Sequence, residues 1–172
     1  KEQQVKAIVI ACNTASALAL DAVKDEFDLP IIGVVIPGAR AAVEATTNGK
    51  VGVVGTEATV QSGMYTKVIQ GMNPKIEVIE KACPLFVPLV EEGFKEHIVT
   101  REIIEYYLES MRNTDIDAMI LGCTHYPLFR EALERYFEGG VKIIDSAEAC
   151  AESARAFLDE NSIAASLAKT GN

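Results

Sequence analysis

The chain has 172 residues, 49% of them apolar and 24% charged, with a net charge of −9 and four cysteines. This is the balance of a soluble globular protein with enough apolar side chains for a substantial core. The negative charge, with basic residues scattered singly, argues against nucleic acid as a partner, and no run approaches the roughly 20 apolar residues of a membrane span. Cysteines at 12, 83, 123 and 150, with no CxxC pair and only two histidines, offer neither a disulfide framework nor a zinc set. Residues Lys1 to Lys6 lack the apolar stretch of a signal peptide, so a cytoplasmic protein is expected.

Taken in chain order, short β-branched runs alternate with segments of helical periodicity, the pattern of parallel strands joined by crossover helices. A strand over Lys6–Ala11 leads to a helix from Ala15 to Phe27, closed by Leu29-Pro30. The strand Ile31–Val35 leads to a helix from Gly38 to Thr46 and the turn Asn48-Gly49. Lys50–Gly55 is followed by a helix from Glu57 to Met72, and Asn73-Pro74 turns the chain into a fourth strand, Lys75–Lys81. That strand alternates polar and apolar residues, as an edge strand does, whereas the others are nearly continuous in apolar character, as strands covered on both faces should be. A helix from Arg101 to Met111, a strand Asp117–Leu121, a helix from Leu128 to Phe137, the break Gly139-Gly140, a strand Val141–Asp145 and a helix from Ala147 to Asp159 complete the reading.

Two of these units repeat one another. Ala7-Ile8-Val9-Ile10-Ala11-Cys12-Asn13-Thr14 lies over Ala118-Met119-Ile120-Leu121-Gly122-Cys123-Thr124-His125. Each is an apolar strand ending in a small residue, then a cysteine, then hydrogen-bonding side chains, then a helix. Matched units imply two similar half-structures, each offering a cysteine at the carboxyl end of a strand, where open parallel sheets bind ligands. A cysteine just ahead of a helix sits near free backbone N–H groups and the positive end of the helix dipole, so both thiol pKa values are expected to fall. A lone cysteine at a strand end is more often packing than chemistry. Two in matched frames favour chemistry for Cys12 and Cys123, while Cys83 and Cys150 read as core or loop residues. The reaction that needs two equivalent acid–base groups on opposite sides of a substrate is inversion at a carbon bearing an acidic hydrogen.

The segments Ile8–Ser16 and Ile120–Leu128 resemble the two signature segments of bacterial glutamate racemases, within the aspartate/glutamate racemase superfamily. The resemblance extends through Val51–Thr59 and Ala82–Glu91 and covers nearly the whole chain. It implies an α/β fold of two similar parallel-sheet domains related by pseudo-two-fold symmetry. It also implies cofactor-independent interconversion of L- and D-glutamate, supplying D-glutamate for peptidoglycan, and homodimers as one assembly. Cys12 then faces D-glutamate and Cys123 L-glutamate, with His125 and Glu91 as their helpers. Taken alone, His125 reads equally as a hydrogen-bonded loop histidine, and Glu91, beside Glu92, as a solvated helix residue.

Asn13, Thr14, Thr56, Thr59 and Thr124 stand where donors to substrate carboxylates would be needed in a protein this acidic. For Thr56 and Thr59, helix capping is as good a reading as binding. Ser146 reads as a cap on the last helix. The family's chains begin with a further strand, a loop carrying an Asp-Ser pair and a Pro-Tyr-Gly segment, which are not found here, and the first residue is not methionine. The first domain, residues 1–35 and 145–172, is therefore expected to be incomplete and the second, 36–144, nearly whole, with little activity in this chain alone. Three rival readings stand beside this one: a racemase for aspartate or hydantoins, a non-enzymatic small-anion binding module, and a redox or thiol-transfer enzyme. The last is disfavoured because neither thiol has a second cysteine close in sequence.

Overall fold

In the computed structural model, which describes residues 5–164, six strands follow in order: β1 (Ile8–Ile10), β2 (Ile31–Gly33), β3 (Lys50–Gly55), β4 (Glu77–Ala82), β5 (Ala118–Gly122) and β6 (Lys142–Asp145). Eight α-helices accompany them: α1 (Asn13–Glu26), α2 (Val35–Ala45), α3 (Glu57–Gln61), α4 (Met64–Met72), α5 (Phe86–Glu91), α6 (Ile98–Arg112), α7 (Arg130–Tyr136) and α8 (Ser146–Glu160). A 3-10 turn at Tyr126–Phe129 precedes α7. All strand pairs are parallel, β1 with β2 in one sheet and β4-β3-β5-β6 in the other. The fourth strand is at an edge of the larger sheet, as its alternation predicts.

The continuous apolar runs explain which strands lie at the centre. Alternate residues of a strand point to opposite faces, so an uninterrupted run can be covered twice. On one side Val54, Met119 and Leu121 pack with Phe86, Leu108 and Phe129 from α5, α6 and the 3-10 turn. On the other, Val51, Val53, Ala118 and Ile120 pack with Ala39 and Ala42 of α2 and Tyr65 and Ile69 of α4. Phe86 gathers the rings of Tyr107, Tyr126 and Phe129 at centroid distances of 5.6, 5.1 and 5.1 Å. The Tyr126 hydroxyl donates to the Cys83 carbonyl at 2.8 Å, tying the turn after β5 to the loop after β4.

Several elements differ from the sequence reading. The helix expected over Glu57–Met72 breaks at Ser62-Gly63, where Gly63 has φ 58° and starts α4. The sixth helix begins three residues earlier than expected, because His97 Nδ1 accepts the Val99 N–H at 3.3 Å and caps it. The short α5, with a proline inside it, is missing from the helices taken in chain order, although Glu91 by itself reads as a helix residue. β1 is not covered on both faces among the described residues, since Val9 is 50% exposed. Helix α8 packs on α2 and reaches β2, so the two sheets share a helical layer. Residues 1–4 and 165–172 of the expected first domain lie outside the described residues.

Candidate active site

The chain runs outward from β3 to β4 on one side and from β5 to β6 on the other, so the direction of winding reverses between β3 and β5. In a parallel sheet this reversal leaves a crevice at the carboxyl ends of the two strands. Thr56 follows β3 there and Cys123 follows β5. Gly122 brings the strands close enough, because a Cβ at that position would lie 2.8 Å from the Val54 carbonyl oxygen.

Cys123 is buried, 8% exposed. Its Sγ lies 3.9 Å from His125 Nδ1, and His125 Nε2 lies 3.4 Å from Glu91 Oε1, so thiol, imidazole and carboxylate form a line. With a carboxylate at Nε2, the tautomer that donates from Nε2 leaves Nδ1 as an acceptor facing sulfur. The Thr124 hydroxyl, itself exposed, competes for the same nitrogen at 3.4 Å. Burial pushes the Cys123 thiol above its ordinary pKa. The backbone N–H groups of His125 and Tyr126 and the Thr124 hydroxyl pull it down, and the charge of Cys12 pushes it up. The net direction is upward, correcting the expected fall, because loss of water outweighs the local donors.

Cys12 follows β1, caps α1 and is exposed, with its Sγ accepting the Ala15 N–H at 3.5 Å. Its charge is among the causes that push the Cys123 thiol up, which sets the two cysteines on the same crevice. Side chains of the first turns draw α1 to α3, the helix after β3. Thr14 Oγ1 lies 2.9 Å from Thr56 Oγ1 and 3.0 Å from Thr59 Oγ1, and the last two are 3.0 Å apart. Thr56 also caps α3 by accepting the Thr59 N–H at 3.2 Å, so the capping reading holds for Thr56. Thr59 is buried with no exposed surface.

Asn13 is buried as well, its Oδ1 accepting from the Tyr65 hydroxyl at 2.5 Å and its Nδ2 donating to Ser146 Oγ at 3.1 Å. Ser146 is not the cap of the last helix. Asp145 caps it, accepting the Ala147 N–H at 2.8 Å, while Ser146 Oγ donates to the Leu121 carbonyl at 3.0 Å. Tyr65 carries no signal that sequence reasoning could use, since an aromatic residue at helical spacing reads as core. No group of three or more His, Cys, Asp or Glu side chains among the described residues is arranged to hold a metal ion. A separate cavity of about 360 Å³ between α6 and α7, lined by Arg101, Glu105, Arg135 and Tyr136 among others, contains neither thiol of the crevice.

A family model described as Asp/Glu/hydantoin racemase matches residues 1–154. A glutamate racemase of Chlorobium phaeobacteroides is 51% identical over 89% of this chain and 57% of its own length. The solved structure of a glutamate racemase isoform from Bacillus anthracis superposes with a TM-score of 0.89 at 39% identity, over 92% of this chain and 60% of the other. The glutamate racemase of Francisella tularensis, solved with D-glutamate, gives a TM-score of 0.89 at 37% identity over 96% and 61%. The chain thus spans about three fifths of the length of the relatives it matches.

Proposed function

Because this chain belongs to the Asp/Glu/hydantoin racemase family, we propose that the product of its gene is a glutamate racemase, inverting the α-carbon of L- and D-glutamate with two cysteines and no cofactor. The observation that carries the reading is the crevice at the carboxyl ends of β3 and β5, where Cys123 stands with His125 and Glu91 and where Thr14, two residues after Cys12, meets Thr56 and Thr59. Inversion requires a base and an acid on opposite faces of the α-carbon, and a thiolate with a thiol is such a pair.

For D-glutamate, the Cys12 thiolate takes the α-hydrogen as a proton, forming an S–H bond while the electron pair moves into the α-carboxylate. The Cys123 thiol delivers its proton to the opposite face, forming the new C–H bond and leaving Cys123 as thiolate. L-glutamate runs the same path backwards. His125 Nδ1 receives or returns the Cys123 proton, and Glu91 holds the imidazole through Nε2. Thr14, Thr56 and Thr124 supply hydroxyl donors to the carboxylates beside the first turn of α1, Thr59 orients the first two through its own buried hydroxyl, and Asn13 adds the amide hydrogen that Ser146 does not take. We place residues 36–144 in one α/β domain and 1–35 with 145–172 in a second of similar design. The enzyme acts in the cytoplasm, as a homodimer, in supplying D-glutamate for the cell wall.

The test is to incubate the full product of the gene, and the 172-residue chain beside it, with each glutamate enantiomer in deuterated water without added cofactor. Deuterium should enter the α-position of the inverted product from both enantiomers, read by NMR and chiral chromatography. Turnover of aspartate but not glutamate would reassign the substrate. Tight binding without exchange would make the protein a binding module.

A further inference from the structure

One fully buried side chain touches the shoulders of both cysteines. Tyr65, on α4, has no exposed surface, and its hydroxyl donates to Asn13 Oδ1 at 2.5 Å, next to Cys12 in the chain. Its ring lies against Gly122, next to Cys123, where Tyr65 Cε2 is 3.4 Å from the place a Cβ would occupy. From Asn13 the hydrogen bonds continue to Ser146 Oγ at 3.1 Å and on to the carbonyl of Leu121, two residues before Cys123, at 3.0 Å. Asn13, Tyr65 and Ser146 therefore close a loop between the residue after one thiol and the strand end before the other.

The loop is tightly enclosed. A Cβ on Gly38 would meet Ser146 Cβ at 3.1 Å and the Tyr65 hydroxyl at 3.4 Å, so a larger residue on α2 would press on both members of the loop. Burial raises the Tyr65 phenol far above its ordinary pKa, so its hydroxyl remains a donor at any pH at which the protein works. A donor fixed in this way, with its ring packed against rigid sheet, is a spacer and not a titrating group.

We infer that Tyr65 is a positioning residue that sets the separation of Cys12 and Cys123 across the crevice, acting through Asn13 on one side and Gly122 on the other. The inference rests on the racemase reading. It assigns Tyr65 no contact with substrate. Its role is to hold both sulfurs in register with one carbon, where a misplacement of about 1 Å costs up to 100-fold in rate.

Tyr65→Phe keeps the ring and removes the bond to Asn13. In the full product of the gene, kcat should fall 10- to 100-fold in both directions while KM changes less than about threefold. Ser146→Ala, which breaks the loop at its other joint, should give a loss of the same kind. The double variant should be no slower than the slower single one, because both act through Asn13. Losses that multiply, a rise confined to KM, or a Tyr65→Phe enzyme as fast as the parent would overturn the inference. If Tyr65→Phe does not fold, the Ser146→Ala kcat and KM decide the matter alone. A parent that does not racemise glutamate removes the racemase reading instead, and the two failures are thereby kept apart.

Discussion

The two cysteines share a local sequence pattern and differ in almost everything that tertiary structure adds. Cys12 follows a strand of a two-stranded sheet whose Val9 is half exposed, and it is itself exposed, its sulfur capping α1. Cys123 ends a central strand of a four-stranded sheet, lies beneath the turn at Tyr126 and is backed by His125 and Glu91. A strand followed by a small residue, a cysteine and a helix decides where a thiol stands. The cover laid over it decides how readily that thiol ionises. Equal motifs thus yield one exposed and one buried thiol, an inequality of use to the acid–base pair proposed above.

The strongest way to break this comparison is to remove each sulfur in turn. Cys12→Ser and Cys123→Ser should each reduce kcat/KM by about 10³-fold or more in both directions, since general acid–base groups contribute on the order of 10² to 10⁴ and a hydroxyl replaces a thiol poorly. Measurement of both enantiomers by polarimetry checks this. Retention of most activity by either variant would show that its half of the crevice takes no part in proton transfer.

A milder test sharpens the same comparison through alkylation. Iodoacetamide should modify Cys12 first, because it is exposed, and Cys123 only at higher pH, because burial holds its thiol protonated. In the Cys12→Ser variant the pH midpoint for Cys123 should move down, since the opposing charge has gone. Peptide mass spectrometry over a pH series reads both effects. An unchanged midpoint would mean that the sulfurs do not sense each other.

Position was legible in the sequence, and environment was not. Val51–Gly55 and Ala118–Gly122 announce buried central strands because no polar side chain interrupts them, and the repeated Cys units mark the carboxyl ends where the crevice lies. The break at Gly63 had a local sign, a glycine inside a helical period, that a continuous apolar stripe obscured. The helix Phe86–Glu91 had less, being short and containing Pro88. Burial of Cys123 and the grip of Tyr65 on Asn13, 52 residues away in the chain, arise only when distant segments pack. A rule based on neighbours along the chain therefore predicted the wrong direction for the Cys123 thiol.

The smallest expected effect separates stability from the site. Asp117 stands at the amino end of β5, opposite the end that carries Cys123, and fastens the loop between α2 and β3. Thr46 Oγ1 donates to its Oδ1 at 2.5 Å, while Thr47 N, Thr47 Oγ1 and Asn48 N donate to Oδ2 at 2.6, 2.7 and 2.9 Å. Burial alone would raise this carboxyl, but the donors hold it at about 2, below the ordinary value of 3.8. A folded-state pKa below the unfolded one contributes stability that is present above about pH 4 and lost as pH falls toward about 2. After allowance for solvent screening the contribution is roughly 1 kcal/mol. Asp117→Asn should lower the melting midpoint at pH 7 by a few degrees and flatten its fall between pH 4 and 2, as followed by circular dichroism. It should leave the order of cysteine alkylation unchanged, because the strand transmits the anchor at its foot as stability and not as a change at its tip. A shift in Cys123 reactivity in this variant would show that the buried half of the crevice depends on the whole length of β5, and that its contrast with the Cys12 half is a property of the sheet and not of the cover over the thiol.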